Sequence, residues 1–316
     1  MTITRRHVQV ALGALWLLDG ALQLQTFMFT AGFPNEILAP SGDGQPQWVS
    51  GPVSFFADHI AQHPAPYDAA MAVAQLALGV GFLLRPTVRA AIVASVLWSL
   101  GVWWFGEGLG GLASGHATLV TGAPGAVILY AVLAIAVWPP EASIGPRDIA
   151  RHSVSAWLPA AWGALWLGGA ALQLLPAQRH ANDLATQIAD GAHGAPGWLA
   201  ATDRVAADVV RHLGAAGIAA LVVLMAAVGL AALVPGRARV FAAAGGTVLA
   251  LVFWLVGQNL GELYSGQSTD PNTGPLLVLL AVAILGCSPA TEARSEAQQR
   301  QRQAPARRPR PVAGMS

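Results

Sequence analysis

Apolar residues run along this chain in blocks about as long as a membrane is thick, divided by polar stretches where arginine, glycine and proline gather. About 20 apolar residues rising 1.5 Å each cross a hydrocarbon layer of roughly 30 Å. On that criterion spans fall near residues 8–28, 68–84, 89–111, 119–138, 156–176, 212–234, 239–262 and 274–287. The pattern predicts an all-α polytopic membrane protein with eight transmembrane helices. The first block follows two arginines, as a signal peptide does, but it lacks a small-x-small cleavage site and is read as a retained span. Two long loops, about 29–67 and 177–211, hold stretches such as PVSFFADHIAQH and RVAADVVRH that suit amphipathic helices at the interface.

The blocks also repeat. GALWLLDGALQLQ at 13–25 returns as GALWLGGAALQLL at 163–175, with Gly169 in the place of Asp19. At an offset of 150 or 151, Trp48 matches Trp198, Asp58 matches Asp208, Gly79 matches Gly229 and Arg89 matches Arg239. WWFGEGLGGLASGHAT at 103–118 matches WLVGQNLGELYSGQST at 254–269. Such self-similarity predicts two four-helix repeats, 1–150 and 151–287. Four spans per copy is an even number, so the two copies are parallel, related by an axis along the membrane normal. Residues 288–316, rich in Arg, Gln and Pro, have little to bury and are expected to form a disordered cytoplasmic tail.

Composition strengthens this reading. Hydrophobic residues make up 54% of the 316 and charged residues 10%, an apolar excess that a water-soluble domain of this length cannot bury. All 17 basic residues are Arg, and 14 of them fall in the termini and in the loops on one side. The positive-inside rule then places both termini in the cytoplasm, in a plasma membrane, with the bilayer as the first partner. The single cysteine, Cys287, excludes an intramolecular disulfide or a CxxC redox pair.

QLALGVGFLLRPTVRAAIVAS, residues 75–95, together with the glycine-spaced apolar first helix, resembles the DoxX-like membrane proteins. The resemblance would cover both halves as a fused pair of compact four-helix units. It implies a membrane protein, some members of that group being associated with quinone-linked sulfur oxidation.

Polar residues inside the spans are the candidate chemistry. An ionisable group in the bilayer interior costs about 2.5–3.5 kcal/mol on insertion scales and usually faces a cavity or a partner. Asp19 lies about 17 Å into its span, with Trp16 and Gln23 on the same face, and Glu107 lies about 26 Å along its own. Their repeat counterparts are polar but different, Gln258 for Glu107 and Asn259 for Gly108, followed by Glu262. The expectation is one asymmetric ligand site in the outer half of the bundle, formed by Asp19, Gln23, Glu107, Gln258, Asn259 and Glu262 and walled by Trp103 and Trp104. The alternative is an Asp19 that only bonds a neighbouring helix. Gly106/Gly110 and Gly257/Gly261 each form GxxxG and suggest close helix packing, and Asp270 suits a cap for the last span.

Asp58, His59 and His63 place two imidazoles about one helical turn apart beside a carboxylate, a spacing that can hold Zn or Cu, although Val209 and Leu213 replace both histidines in the second copy. The other reading is a solvated loop face. No histidine sits in mid-span, which disfavours a bis-histidine haem. Nothing resembles a phosphate loop, a serine-histidine-acid set or a nucleic-acid surface. Three functions follow: a protein that binds or transports a small ligand or a proton, a quinone-linked redox subunit, or an assembly scaffold for another membrane subunit. A quinone is the candidate cofactor of the second.

Overall fold

A computed structural model describes residues 3–139 and 154–286. The expected tail at 288–316 and the boundary between halves at 150/151 lie outside the described residues. Those that are described form helices joined by turns, with no strand. In chain order the α-helices are α1 (Arg5–Leu22), α2 (Gln47–Gln62), α3 (Pro64–Leu83), α4 (Val88–Phe105), α5 (Ala126–Ala136), α6 (Leu158–Leu172), α7 (Ala181–Asp190), α8 (Gly197–Leu233), α9 (Arg237–Val256) and α10 (Thr273–Leu285).

Four helical segments are long and apolar enough to cross a membrane: Pro64–Leu83, Arg85–Phe105, Gly197–Leu233 and Arg237–Val256. Their outward faces carry Val73, Val80, Leu97, Val223, Phe241 and Val248, each at least 47% exposed. A water-soluble surface does not carry so many large apolar groups, whereas acyl chains solvate them. The apolar α5, α6 and α10 are shorter, at 11, 15 and 13 residues. In α5, eight of the eleven residues are buried, so this helix runs through the core rather than along its edge.

Small residues set the close crossings. A Cβ on Gly13 would stand 3.0 Å from the Gly79 carbonyl, which lets α1 lie against α3. Likewise a Cβ on Gly163 would stand 3.2 Å from the Gly229 carbonyl, where α6 crosses α8. At one end of the bundle arginines satisfy the last carbonyls of helices: Arg6 donates to Phe82 O at 2.9 Å and to Leu83 O, and Arg239 donates to Ala232 O at 3.1 Å. The opposite end is rich in turns, including a π-helical turn at Phe33–Leu38 and 3₁₀ turns at Gly108–Gly111 and Asn259–Glu262.

Helices form at both stretches expected to be amphipathic, as α2 and as the first part of α8. The latter joins the apolar stretch without a loop, through Gly214 at φ 56°, ψ −140°, a conformation only glycine adopts freely. Two expectations need correction. The spans placed at 89–111 and 239–262 end as α-helix at Phe105 and Val256. Gly110 and Gly261 therefore do not extend a helical GxxxG face. They sit in left-handed turns at φ 62° and 66°, against the backbone of Pro124 and Pro271.

Candidate functional site

Beyond Phe105 the chain reverses. Leu109 and Gly110, at φ 57° and 62°, fold it back so that α5 starts beside the end of α4. Glu107 then caps α5: its Oε1 accepts the N–H groups of Ala126 at 3.1 Å and Val127 at 3.2 Å. This satisfies two of the four orphan donors of a helix start, with an oxygen acceptor at the positive end of the dipole. Gly125, at φ 102°, is required here, because a Cβ would lie 2.1 Å from Glu107 Oε2. Trp103 ties the same loop down, its indole N–H donating to Pro124 O at 2.7 Å. Leu260 and Gly261 make an equivalent left-handed pair after α9, and Trp254 donates to Pro271 O at 2.7 Å.

A cavity of about 260 Å³ lies behind Glu107. Asp19 and Gln23 from α1, Gln75 from α3, Trp98 from α4, Glu107, and Thr269 and Asp270 from the α9–α10 loop all line it. Phe33, Ile37 and Leu38 of the π-helical turn and Phe56 of α2 close over its apolar side. Three carboxyl groups thus face one space whose lining includes no arginine or histidine. Asp19 is 2% exposed and Gln23 3%. Asp19 Oδ1, Gln23 Oε1, Gln75 Oε1 and Glu107 Oε2 are buried without a hydrogen-bond partner, as is the indole nitrogen of Trp98. The Tyr130 hydroxyl adjoins Asp19, and its ring packs on Trp16 with centroids 4.4 Å apart. Trp16 is fixed in turn by donation to Ser95 Oγ at 3.1 Å.

Asp270 accepts from the Asn272 N–H at 2.7 Å and from the Thr269 hydroxyl at 3.0 Å. Burial pushes its carboxyl above the usual carboxylate range, against the pull of those two bonds. Asn272 performs the capping expected of Asp270: its side-chain oxygen accepts the Thr273 N–H at the start of α10. A second, polar space of about 360 Å³ adjoins the cavity on the turn-rich end and shares Glu107, Thr269 and Asp270 with it, together with Ser41, Ser114 and His116.

Three of the eight residues expected in the ligand site meet in the cavity: Asp19, Gln23 and Glu107. The other five do not. Trp103 is held by Pro124, and Trp104 is 42% exposed, edge-on to Trp48 at 6.4 Å. Gln258 accepts the Gly274 N–H at 3.1 Å, at the start of α10 as Glu107 does at α5, and Asn259 donates to Gly191 O. Glu262 is exposed. Where Asp19 would recur stands Gly169, whose Cβ would be 2.6 Å from Met225 Cε and 3.1 Å from Leu119. Gln173, at the position corresponding to Gln23, is fully engaged: it accepts the Thr118 hydroxyl and donates to Gln178 O, both at 2.8 Å.

Asp58, His59 and His63 are all exposed, and among the described residues no group of three His, Cys, Asp or Glu is placed to hold a metal ion. The reason is local. His63 lies beyond the end of α2, at φ −146°, so it leaves the helical face that His59 occupies, and His59 Nε2 is paired with the Tyr67 hydroxyl at 2.6 Å. Sequence reasoning missed Gln75, Trp98 and Tyr130. An interruption at Gln75 in an otherwise apolar α3 was the available signal for the first. Comparison with family models, curated proteins and solved structures finds no match for the chain.

Proposed function

We propose that the chain is an integral membrane protein of eight spans, two parallel four-helix repeats with both termini in the cytoplasm. A cavity built mainly from its first half, with Thr269 and Asp270 of the second, binds or passes a small hydrogen-bond-donating ligand or a proton. The observation that carries this reading is the set of four unpartnered oxygens on Asp19, Gln23, Gln75 and Glu107 around one cavity. Each buried acceptor left unsatisfied costs about 1–3 kcal/mol, which a ligand supplying donors offsets. The two amides can present either their oxygen or their nitrogen, so a hydroxyl that both donates and accepts is also served.

The lack of a partner for Asp19 Oδ1 supports a ligand over a purely structural role. The polar space next to Glu107 supports a route from the turn-rich, outer end to the cavity. Repetition is supported by matched details: Trp103 and Trp254 on prolyl carbonyls, Glu107 and Gln258 at helix starts, and the left-handed Leu-Gly pairs. On this reading duplication provided the scaffold, and the four unpartnered oxygens around this cavity all come from the first half.

Native mass spectrometry and an absorption spectrum of gently solubilised protein, wild type beside Asp19→Asn, provide the test. A bound small molecule in the wild type, lost in a variant with unchanged melting temperature, is the expected result. Identical masses and spectra, together with identical proton flux in vesicles, would refute the assignment.

A further inference from the structure

The cavity has a second neighbour. Between α3 and α4 runs a groove of about 780 Å³ whose 13 lining residues are apolar apart from Thr87 and the indole nitrogen of Trp98. The two helices touch near the arginine end, where a Cβ on Gly81 would lie 2.8 Å from that of Ala91. Towards Trp98 small residues, Ala74, Ala77 and Ala94 among them, leave a furrow. Trp98 lines both the groove and the polar cavity and is the one residue common to them. Leu97 and Phe105, 66% and 38% exposed on the outer face of α4, also line the cavity, so it opens towards the lipid flank of the bundle.

We infer that the ligand is an amphiphile drawn sideways from the bilayer, with a hydrogen-bond-donating head in the acidic cavity and a hydrocarbon tail in the α3–α4 groove past Trp98. This rests on the ligand-binding reading above and adds the class of ligand. Three observations converge on it. At about 260 Å³ the cavity is smaller than the roughly 300–1,000 Å³ typical of pockets for whole drug-sized ligands, so it suits a head group. The groove meets the cavity at Trp98, the residue that lines both, and offers almost no polar atom, which suits an alkyl or isoprenoid chain. The head faces Asp19, 2% exposed with an unpartnered oxygen, and two further carboxyls, so it carries donors, as an ammonium or a hydroxyl. At the junction, the unpartnered Trp98 N–H is placed to meet an oxygen near the base of the head.

The test uses full-length protein in phosphatidylcholine nanodiscs, with matched short and tailed probes: ethylamine and dodecylamine for a cationic head, hydroquinone and its dodecyl derivative for a neutral one. Affinities are read by calorimetry on the wild type, on Asp19→Asn and on the double variant Ala77→Phe/Ala94→Phe, whose two positions are exposed on the lipid side and fill the groove without entering the core. Because probe partitioning into lipid is common to all three proteins, differences between them report the sites.

A tailed probe is expected to bind the wild type at least ten-fold more tightly than its short partner. Filling the groove should remove that advantage and leave the short probe unchanged, while Asp19→Asn weakens both. The series that responds identifies the head as cationic or hydroxylic. Short probes that bind in an Asp19-dependent way, with a tail contribution unaltered by groove filling, would overturn the amphiphile and leave the ligand site standing. If no probe of either length binds in an Asp19-dependent way, both readings fail together.

Discussion

Glu107 has two duties that substitution can separate. Its Oε1 satisfies the Ala126 and Val127 N–H groups, and its Oε2 is unpartnered at the cavity. Glu107→Ala orphans two amides at a buried helix start, at about 1–3 kcal/mol each. Water entering from the adjoining polar space limits the sum, so a loss of about 2–4 kcal/mol is expected. Glu107→Gln keeps an acceptor in the same place, as Gln258 provides for Gly274 at 3.1 Å. Because the cap is retained, its stability should stay within about 1 kcal/mol of wild type. Reversible unfolding in mixed detergent micelles measures both. The glutamine variant should fold like the wild type yet bind donor ligands more weakly, because one acid has left the site. An alanine variant as stable as wild type would show that the cap contributes nothing and that Glu107 serves the cavity alone, and a glutamine variant as damaged as alanine would show that an amide oxygen does not replace the carboxyl there.

Two further outcomes follow from the geometry. Gly169→Leu should destabilise by about 1–3 kcal/mol through overpacking against Met225 and Leu119, whereas Gly168→Ala, with open space around its Cβ, should be neutral or stabilising by up to about 1 kcal/mol; equal melting temperatures for the two variants would contradict this. Asp270 has a raised folded-state pKa, so the folded chain holds its proton to higher pH than the unfolded one, and its contribution to stability falls as pH rises between the ordinary carboxylate value and the raised one. Melting temperatures recorded between about pH 4 and 8 should decline less steeply for Asp270→Asn than for wild type, and an unchanged slope would remove Asp270 as a source of the dependence.

The membrane character was legible because it is written in composition and block length, which need no tertiary information. Half of the cavity was legible for the same reason: Asp19, Gln23 and Glu107 interrupt apolar runs, and the cost of burying them demands a shared polar space. Gln75 and Asp270 were harder. Gln75 is a single amide whose importance appears only when α3 is laid on α1, and Asp270 comes from a loop 251 residues along the chain from Asp19. Trp103 and Trp104 were placed in the site by proximity to Glu107 alone, but the helix ends there, and the turn aims one indole at a prolyl carbonyl and leaves the other exposed. The second-half residues were assigned by correspondence. Gln258 and Asn259 bond backbone groups instead, which no pattern of residue types distinguishes from ligand binding, and Glu262 is exposed. In Asp58, His59 and His63 the spacing assumed one continuous helix, and α2 stops just short of the last of them.

The brevity of α5 and α10 has an electrical consequence. At 1.5 Å per residue they are about 16 and 20 Å long, well short of the roughly 30 Å hydrocarbon thickness. On the eight-span arrangement proposed above, their N-termini, and Glu107 with them, start inside the bilayer, beneath the polar space. Where that space admits electrolyte, the transmembrane voltage drops mainly across the remaining, arginine-side part of the protein. A charge moving from Asp19 to that side then crosses most of the field, worth up to about 2.3 kcal/mol per 100 mV, whereas one arriving from the outer side crosses little of it. The chain's short helices would thus make occupancy of the acidic cavity nearly independent of voltage, and release to the opposite side strongly dependent on it.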